Sequence, residues 1–155
     1  MTRLVIFDLN GLTCAIDALK AFEIINYQNI TKLPGLPAHF EGMVSLRGAI
    51  VPVIDLNERF GLTSGFDSRS QADNPDSKII ISEVLGQKIG FIVNSVREIA
   101  LYDDSDIKEV PDVIKSEQNK YLKGILLLKD KGIIVDIVDL NTILDESELT
   151  GVGML

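Results

Sequence analysis

Apolar and polar positions along this chain fall into short blocks separated by glycine-bearing turns. Residues 3–9 (RLVIFDL) are apolar with charged interruptions. Residues 12–17 alternate, with Leu12, Cys14 and Ile16 on one face and Thr13, Ala15 and Asp17 on the other. A period of two marks a half-buried strand. Asn10-Gly11 between the blocks suits a type I′ hairpin turn, whose two central residues both need φ > 0. A second hairpin is expected over 78–84 and 88–93 across Gly86. A third is expected over 125–129 and 133–138, turning at Asp130-Lys131-Gly132. Helical signals are few. Asp55 and Asp139 each end a strand and are placed to cap the turns that begin NERF and NTILDE by accepting backbone N–H bonds. Gly61 follows the first of these as a stop, and a short helical piece is expected near 17–22. Many short strands with glycine turns predict an all-β chain with a few short helices, built as small barrels or sandwiches.

The pattern also repeats. GAIVPVIDLN at 48–57 returns as GIIVDIVDLN at 132–141, and Phe60 and Leu144 close the two copies. Upstream, residues 3–24 lie over residues 78–99, which sets Gly11 on Gly86 and Glu23-Ile24 on Glu98-Ile99. Two halves result, about 3–61 and 78–145. Two copies are too few for a solenoid and predict two similar subdomains packed together. Residues 62–77 between them are rich in Ser, Asp, Gly and Asn and read as a flexible connector. The tail, 146–155, has no periodic apolar pattern and is expected to fray.

Composition narrows what such a fold could do. The chain has 155 residues, 46% of them hydrophobic, enough for a core. No run is long and apolar enough to span a bilayer, and the start reads as a strand, not a signal peptide. One cysteine, Cys14, cannot form an internal disulfide, which suits a cytoplasmic protein. The net charge of -8 removes any general attraction to phosphate backbones or anionic lipids and points to proteins as partners. An oligonucleotide-binding barrel would need a basic groove and stacking aromatics; this chain has 6% aromatic residues and no Trp.

Candidate chemistry is sparse. His39, the one histidine, sits in the loop KLPGLPAHF with no Ser or Cys nucleophile near it in sequence. Cys14 shares a strand face with Leu12 and Ile16 and reads as core. Asp103, Asp104 and Asp106 lack the glycine and distal Glu of a calcium-binding loop and read as a solvated helix start. Phosphate-binding glycine motifs and zinc-ligand spacings are absent. No catalytic residue, metal site or cofactor is expected, and the chain is not expected to be an enzyme.

One feature stands apart. In EGMVSLRGAIVPVIDL (41–56), Arg47 interrupts an apolar strand. An arginine there must reach solvent, meet a carboxylate or wait for a partner. The run LPGLPAHFEGMVSLRGAIVPVIDLNERFG resembles the CheW family of bacterial chemotaxis coupling proteins, in its Gly42-Met43-Val44-Ser45-Leu46-Arg47-Gly48 core and its Val51-Pro52-Val53-Ile54-Asp55-Leu56 ending. YLKGILLLKDKGIIVDIVDL at 121–140 is similar to the family's terminal strands and helix. Ser45 departs from the Asn usual at its position. The likeness spans about residues 3–145.

The resemblance implies two pseudo-symmetric, five-stranded SH3-like β-barrels sharing a hydrophobic core. It implies a cytoplasmic adaptor, recruited to membrane-associated arrays without inserting in the membrane, that joins the cytoplasmic tips of methyl-accepting chemoreceptors to the regulatory domain of a CheA-type histidine kinase. A scaffold of another chemosensory pathway, such as one for surface motility, is the alternative. The receptor-binding groove would be formed by Glu23, Arg47, Val96 and Ile99, and the kinase-binding surface by Gly42, Met43 and Val44. Glu23 and Arg47 should face each other, since a guanidinium suits a two-pronged bond to a carboxylate.

Overall fold

The computed structural model describes residues 1–37, 39–62 and 74–143. The tail and most of the connector lie outside the described residues. Eleven strands are formed among those described: β1 (Thr2–Leu9), β2 (Leu12–Asp17), β3 (Glu23–Asn26), β4 (Phe40–Leu46), β5 (Ala49–Asp55), β6 (Lys78–Val84), β7 (Gln87–Val93), β8 (Ser95–Tyr102), β9 (Ile107–Lys108), β10 (Leu122–Leu128) and β11 (Ile133–Val138). The one α-helix among them, α1 (Leu56–Arg59), is a single turn.

Turn chemistry fixes the hairpins. Asn10 and Gly11 have φ of 42° and 90°, the left-handed pair expected of a type I′ turn. Leu85-Gly86 repeats it at 50° and 81°, and Arg47-Gly48 at 50° and 82°. Arg47 therefore lies in the β4–β5 turn and not within a strand, as its apolar neighbours had suggested. Leu85 occupies its left-handed position with a side chain that is 55% exposed, so it carries backbone strain with little packing in return. Leu85→Asn should raise the melting temperature by about 2 °C, the size expected from ~0.5–1 kcal/mol in a chain of this length. An unchanged or lower melting temperature in calorimetry would show that Leu85 packs better than its exposure implies.

The caps form as expected. Asp55 Oδ1 accepts the Asn57 N–H at 2.9 Å and Asp139 Oδ1 accepts the Asn141 N–H at 3.0 Å. The second copy winds as a 3-10 turn, Leu140–Thr142, instead of an α-helix. Asp17 caps another 3-10 turn at Ala18–Lys20. Asp103 caps Asp104–Asp106, and Asp104 there binds the N-terminal ammonium and the Thr2 hydroxyl.

Two sheets result, with strand orders β8-β1-β2-β11-β10-β9 and β3-β6-β7-β5-β4. They do not follow the halves of the sequence. Each sheet takes the first hairpin of one half and the later strands of the other: β1-β2 joins β8–β11, and β6-β7 joins β3–β5. The order is otherwise the same, and the registers agree residue by residue. Glu23 faces Ile81 as Glu98 faces Ile6. Gly42 faces Val53 as Gly124 faces Ile137, each just past a register shift. A bridge between Thr31 and Met43 stands where β9 pairs with β10. Because Thr31 follows β3 and β9 follows β8, the chain itself links the two edges of each sheet, so that each sheet is five strands and one short bridging segment.

This arrangement explains the nearly unbroken apolar runs of β1 and β6. Leu4 and Ile6 point into one sheet's own cluster with Ala15, Leu126, Val135 and Ile137. Ile79 and Ile81 point into the equivalent cluster with Val44, Val51, Val53 and Ile92. The opposite faces, Val5, Phe7 and Leu9 on β1 and Ile80 and Val84 on β6, meet in a third cluster shared by both sheets. Cys14 belongs to that shared cluster, and burial first, then Asp136 and Asp8, push its thiol up to about 12. It is no nucleophile at neutral pH.

The bridging segments cross tightly over two glycines. A Cβ on Gly42 would stand 2.3 Å from the Thr31 carbonyl oxygen and 2.6 Å from the Ile30 Cγ2, and Gly42 has φ 154°. A Cβ on Gly124 would stand 3.0 Å from the Lys108 carbonyl oxygen. The ends of the connector are drawn together by asparagines: Asn10 Nδ2 donates to the Leu62 carbonyl and Asn74 Nδ2 to that of Asn94. Asn94 Nδ2 in turn donates to Asn10 Oδ1.

Candidate functional site

Glu23 opens β3, and Arg47 leads the β4–β5 turn. The left-handed backbone of that turn aims the Arg47 side chain back across the sheet mouth. Its two terminal nitrogens donate to the two Glu23 oxygens, Nη1 to Oε1 and Nη2 to Oε2, both at 2.7 Å. This is the two-pronged bond the sequence suggested. The Arg47 side chain is 74% exposed, and the Glu23 hydrogen bonds and charge raise its pKa. An exposed pair contributes little to stability because water screens it. It fixes a charged group in one pose at the surface.

Val96 and Ile99 stand on β8, in the other sheet. Val96 packs against the margin of the shared cluster and Ile99 is 54% exposed. On β4, Gly42 and Val44 are buried and only Met43 of the three is half-exposed. Gly42 faces the Ile30–Thr31 crossing, and Val44 fills its sheet's own cluster. Neither presents a side chain to a partner. Sequence reasoning passed over Phe22, exposed beside Glu23, and Ile50, 71% exposed beside the Arg47 turn. The alternation in β5 carried the signal for Ile50, since Val51, Val53 and Asp55 face inward.

His39 is half-buried at φ 78°, and its Nδ1 has no hydrogen-bond partner among the described residues. Cys14 and Asp136, with Leu12, Phe60, Tyr121 and Leu122, line a cleft of about 160 Å³. Among the described residues, no group of three or more His, Cys, Asp or Glu is placed to hold a metal, and no helix is long and apolar enough to cross a membrane.

Beside the β4 edge, Glu41 and Glu58 of α1 share a hydrogen bond. That bond, then burial, then the charges of Glu58 and Asp55 push the Glu41 carboxyl from its ordinary 4.5 to about 7, against the pull of Lys32. The folded chain thus holds a proton that the unfolded chain has released. Stability should fall as pH rises from about 4.5 to about 7. Glu41→Gln should flatten that slope in denaturant titrations run across the window. An unchanged slope would assign it to another group.

The sequence profile of the CheW-like domain matches residues 3–148. The chain belongs to the CheW-like family. It is 25% identical over 148 residues to "Chemotaxis protein CheW" of Rhizobium meliloti (strain 1021), covering 94% of this chain and 89% of that protein. To the protein of the same name in Bacillus subtilis (strain 168) it is 26% identical over 144 residues, covering 93% and 87%. Among solved structures, the scaffolding protein TtCheW from Thermoanaerobacter tengcongensis matches with a TM-score of 0.80 and 33% identity, covering 95% of this chain and 90% of that one. Fold and family therefore agree with the resemblance seen in the 33–61 run and in the repeated strands.

Proposed function

We propose that this CheW-like chain is a non-enzymatic adaptor that couples chemoreceptors to a CheA-type histidine kinase in bacterial chemotaxis. The observation that carries the reading is the match to the CheW-like domain along nearly the whole chain, together with the exposed Glu23–Arg47 fork. Relatives named as chemotaxis proteins and one named as a scaffold support it. In this reading the chain works in the cytoplasm and is recruited to receptor arrays by its partners. A receptor helix lays its apolar face against Val96 and Ile99 and meets the fork at its edge. Kinase contact on β4 falls to Met43 and the strand edge, since Gly42 and Val44 face inward. Service to a different chemosensory pathway would use the same surfaces.

The reading is tested by mixing the full chain with the regulatory domain of the host's CheA-type kinase and with a cytoplasmic receptor fragment. Co-elution of all three in gel filtration is the expected result. Failure to retain either partner at micromolar concentrations would overturn the adaptor role.

A further inference from the structure

The second half of the chain carries a mouth equivalent to the one closed by Glu23 and Arg47, and there the mouth stands open. Glu98 holds on β8 the register position that Glu23 holds on β3. The turn corresponding to Arg47-Gly48 is Lys129-Asp130-Lys131-Gly132, closed by the Leu128–Ile133 pair. It contains two lysines and no arginine. Glu98 Oε1 accepts the Tyr102 hydroxyl at 2.5 Å. Among the described residues no cation is paired with Glu98, and Lys129 lies instead 3.8 Å from Asp106.

Between β8 and this turn is a cavity of about 440 Å³, lined by Glu98, Tyr102, Asp106, Leu127, Asp130 and Lys131 among others. Its carboxylates outnumber its lysines, so it favours a cation. Its shape and chemistry favour one kind of cation. The first half shows that a carboxylate at this register position is satisfied by a guanidinium arriving from a left-handed turn. An ammonium is a compact point charge and cannot fork to two oxygens. The rim adds apolar surface through Leu127 and Leu128, which line the cavity, Leu127 being exposed. A charged pocket with an apolar rim is the pattern of a protein docking site, and arginine is a favoured anchor residue in such sites.

We infer that this cavity is a docking site for an arginine side chain presented on a turn of a protein partner. The inference rests on the internal repeat and not on the adaptor reading, so either stands without the other. Its test uses the full chain, labelled with nitrogen-15, and a backbone-cyclised peptide of sequence VSLRGAIV, which copies residues 44–51. Saturable amide shifts should gather at Glu98, Tyr102 and the Leu127–Gly132 turn. Copies with Lys or Ala in place of Arg should bind at least about tenfold more weakly. Glu98→Gln should abolish the arginine preference. Lys131→Glu, on the exposed turn where folding is not at stake, should strengthen arginine binding. Shifts centred on Glu23 and Arg47, equal binding of the Lys copy, or no response to Lys131→Glu would each overturn the assignment.

Discussion

Gly42→Ala should lower the melting temperature by about 10 °C, the shift expected from a loss of ~2–4 kcal/mol in a chain of this length. Two separate effects act at one atom. The new Cβ would meet the Thr31 carbonyl oxygen at 2.3 Å, and that oxygen is main chain that accepts the Met43 N–H. The backbone at φ 154° is also one that side chains other than hydrogen rarely adopt. Relief requires the Ile30–Thr31 segment to move away from β4, which breaks the bridge between the two edges of the sheet. Gly124→Ala is the internal comparison. Its Cβ would stand 3.0 Å from the Lys108 carbonyl, and a shift of a few tenths of an ångström would accommodate it. Its loss should be less than half as large. Equal melting temperatures for Gly42→Ala and the parent would show that the crossing is loose. A second comparison separates folding from binding: Met43→Ala should leave melting nearly unchanged, and it, not Gly42→Ala, is the fair probe of the proposed kinase contact on β4.

Arg47→Ala should stay folded, melt within a few degrees of the parent and lose receptor binding or incorporation into arrays. The first half of that expectation follows from exposure, since a screened surface pair stabilises little. The turn itself is unaffected, since alanine and arginine bear the same cost at φ 50°. The second half follows from pose. Without Arg47, Glu23 is an unpaired carboxylate free to move, and a partner that met a fixed fork meets a mobile anion. Arg47→Lys should rescue little, because one ammonium cannot reproduce two parallel bonds at 2.7 Å. Circular dichroism melts and receptor pull-downs on the same preparations decide the matter. A mutant that unfolds would make Arg47 a structural residue, and one that binds as well as the parent would remove it from the site.

Much of this was legible because the repeated stretches have repeated environments. Val51 and Val135, or Asp55 and Asp139, match in sequence because each fills the same inward or capping position in its own sheet. Asn10-Gly11 announced its turn because few other pairs accept two left-handed residues. Leu-Arg-Gly gives no such signal, which is why Arg47 read as part of a strand. The exchange of hairpins between sheets left no trace either. An internal repeat shows that two units are alike, but it carries no information on which unit a hairpin joins. A glycine poses a similar problem: Gly42 looks the same whether it makes room for a partner or for Thr31, and only the crossing chain tells them apart. The Glu23–Arg47 pair needed the resemblance to be found, whereas its counterpart at Glu98 was already visible in the alignment of the halves.

The exchanged hairpins bear on how such a chain could have arisen. A polypeptide holding one repeat alone would have three strands waiting for a hairpin and a hairpin with no sheet to enter. The apolar faces of β1 and β6 would be bare on both sides. Its stable form would be a twofold dimer, with each copy lending its first hairpin to the other, as in domain swapping. Fusing two such copies through a linker makes the exchange intramolecular and independent of concentration. It also frees each copy to change separately, so that one mouth could keep an arginine of its own while the other gave it up.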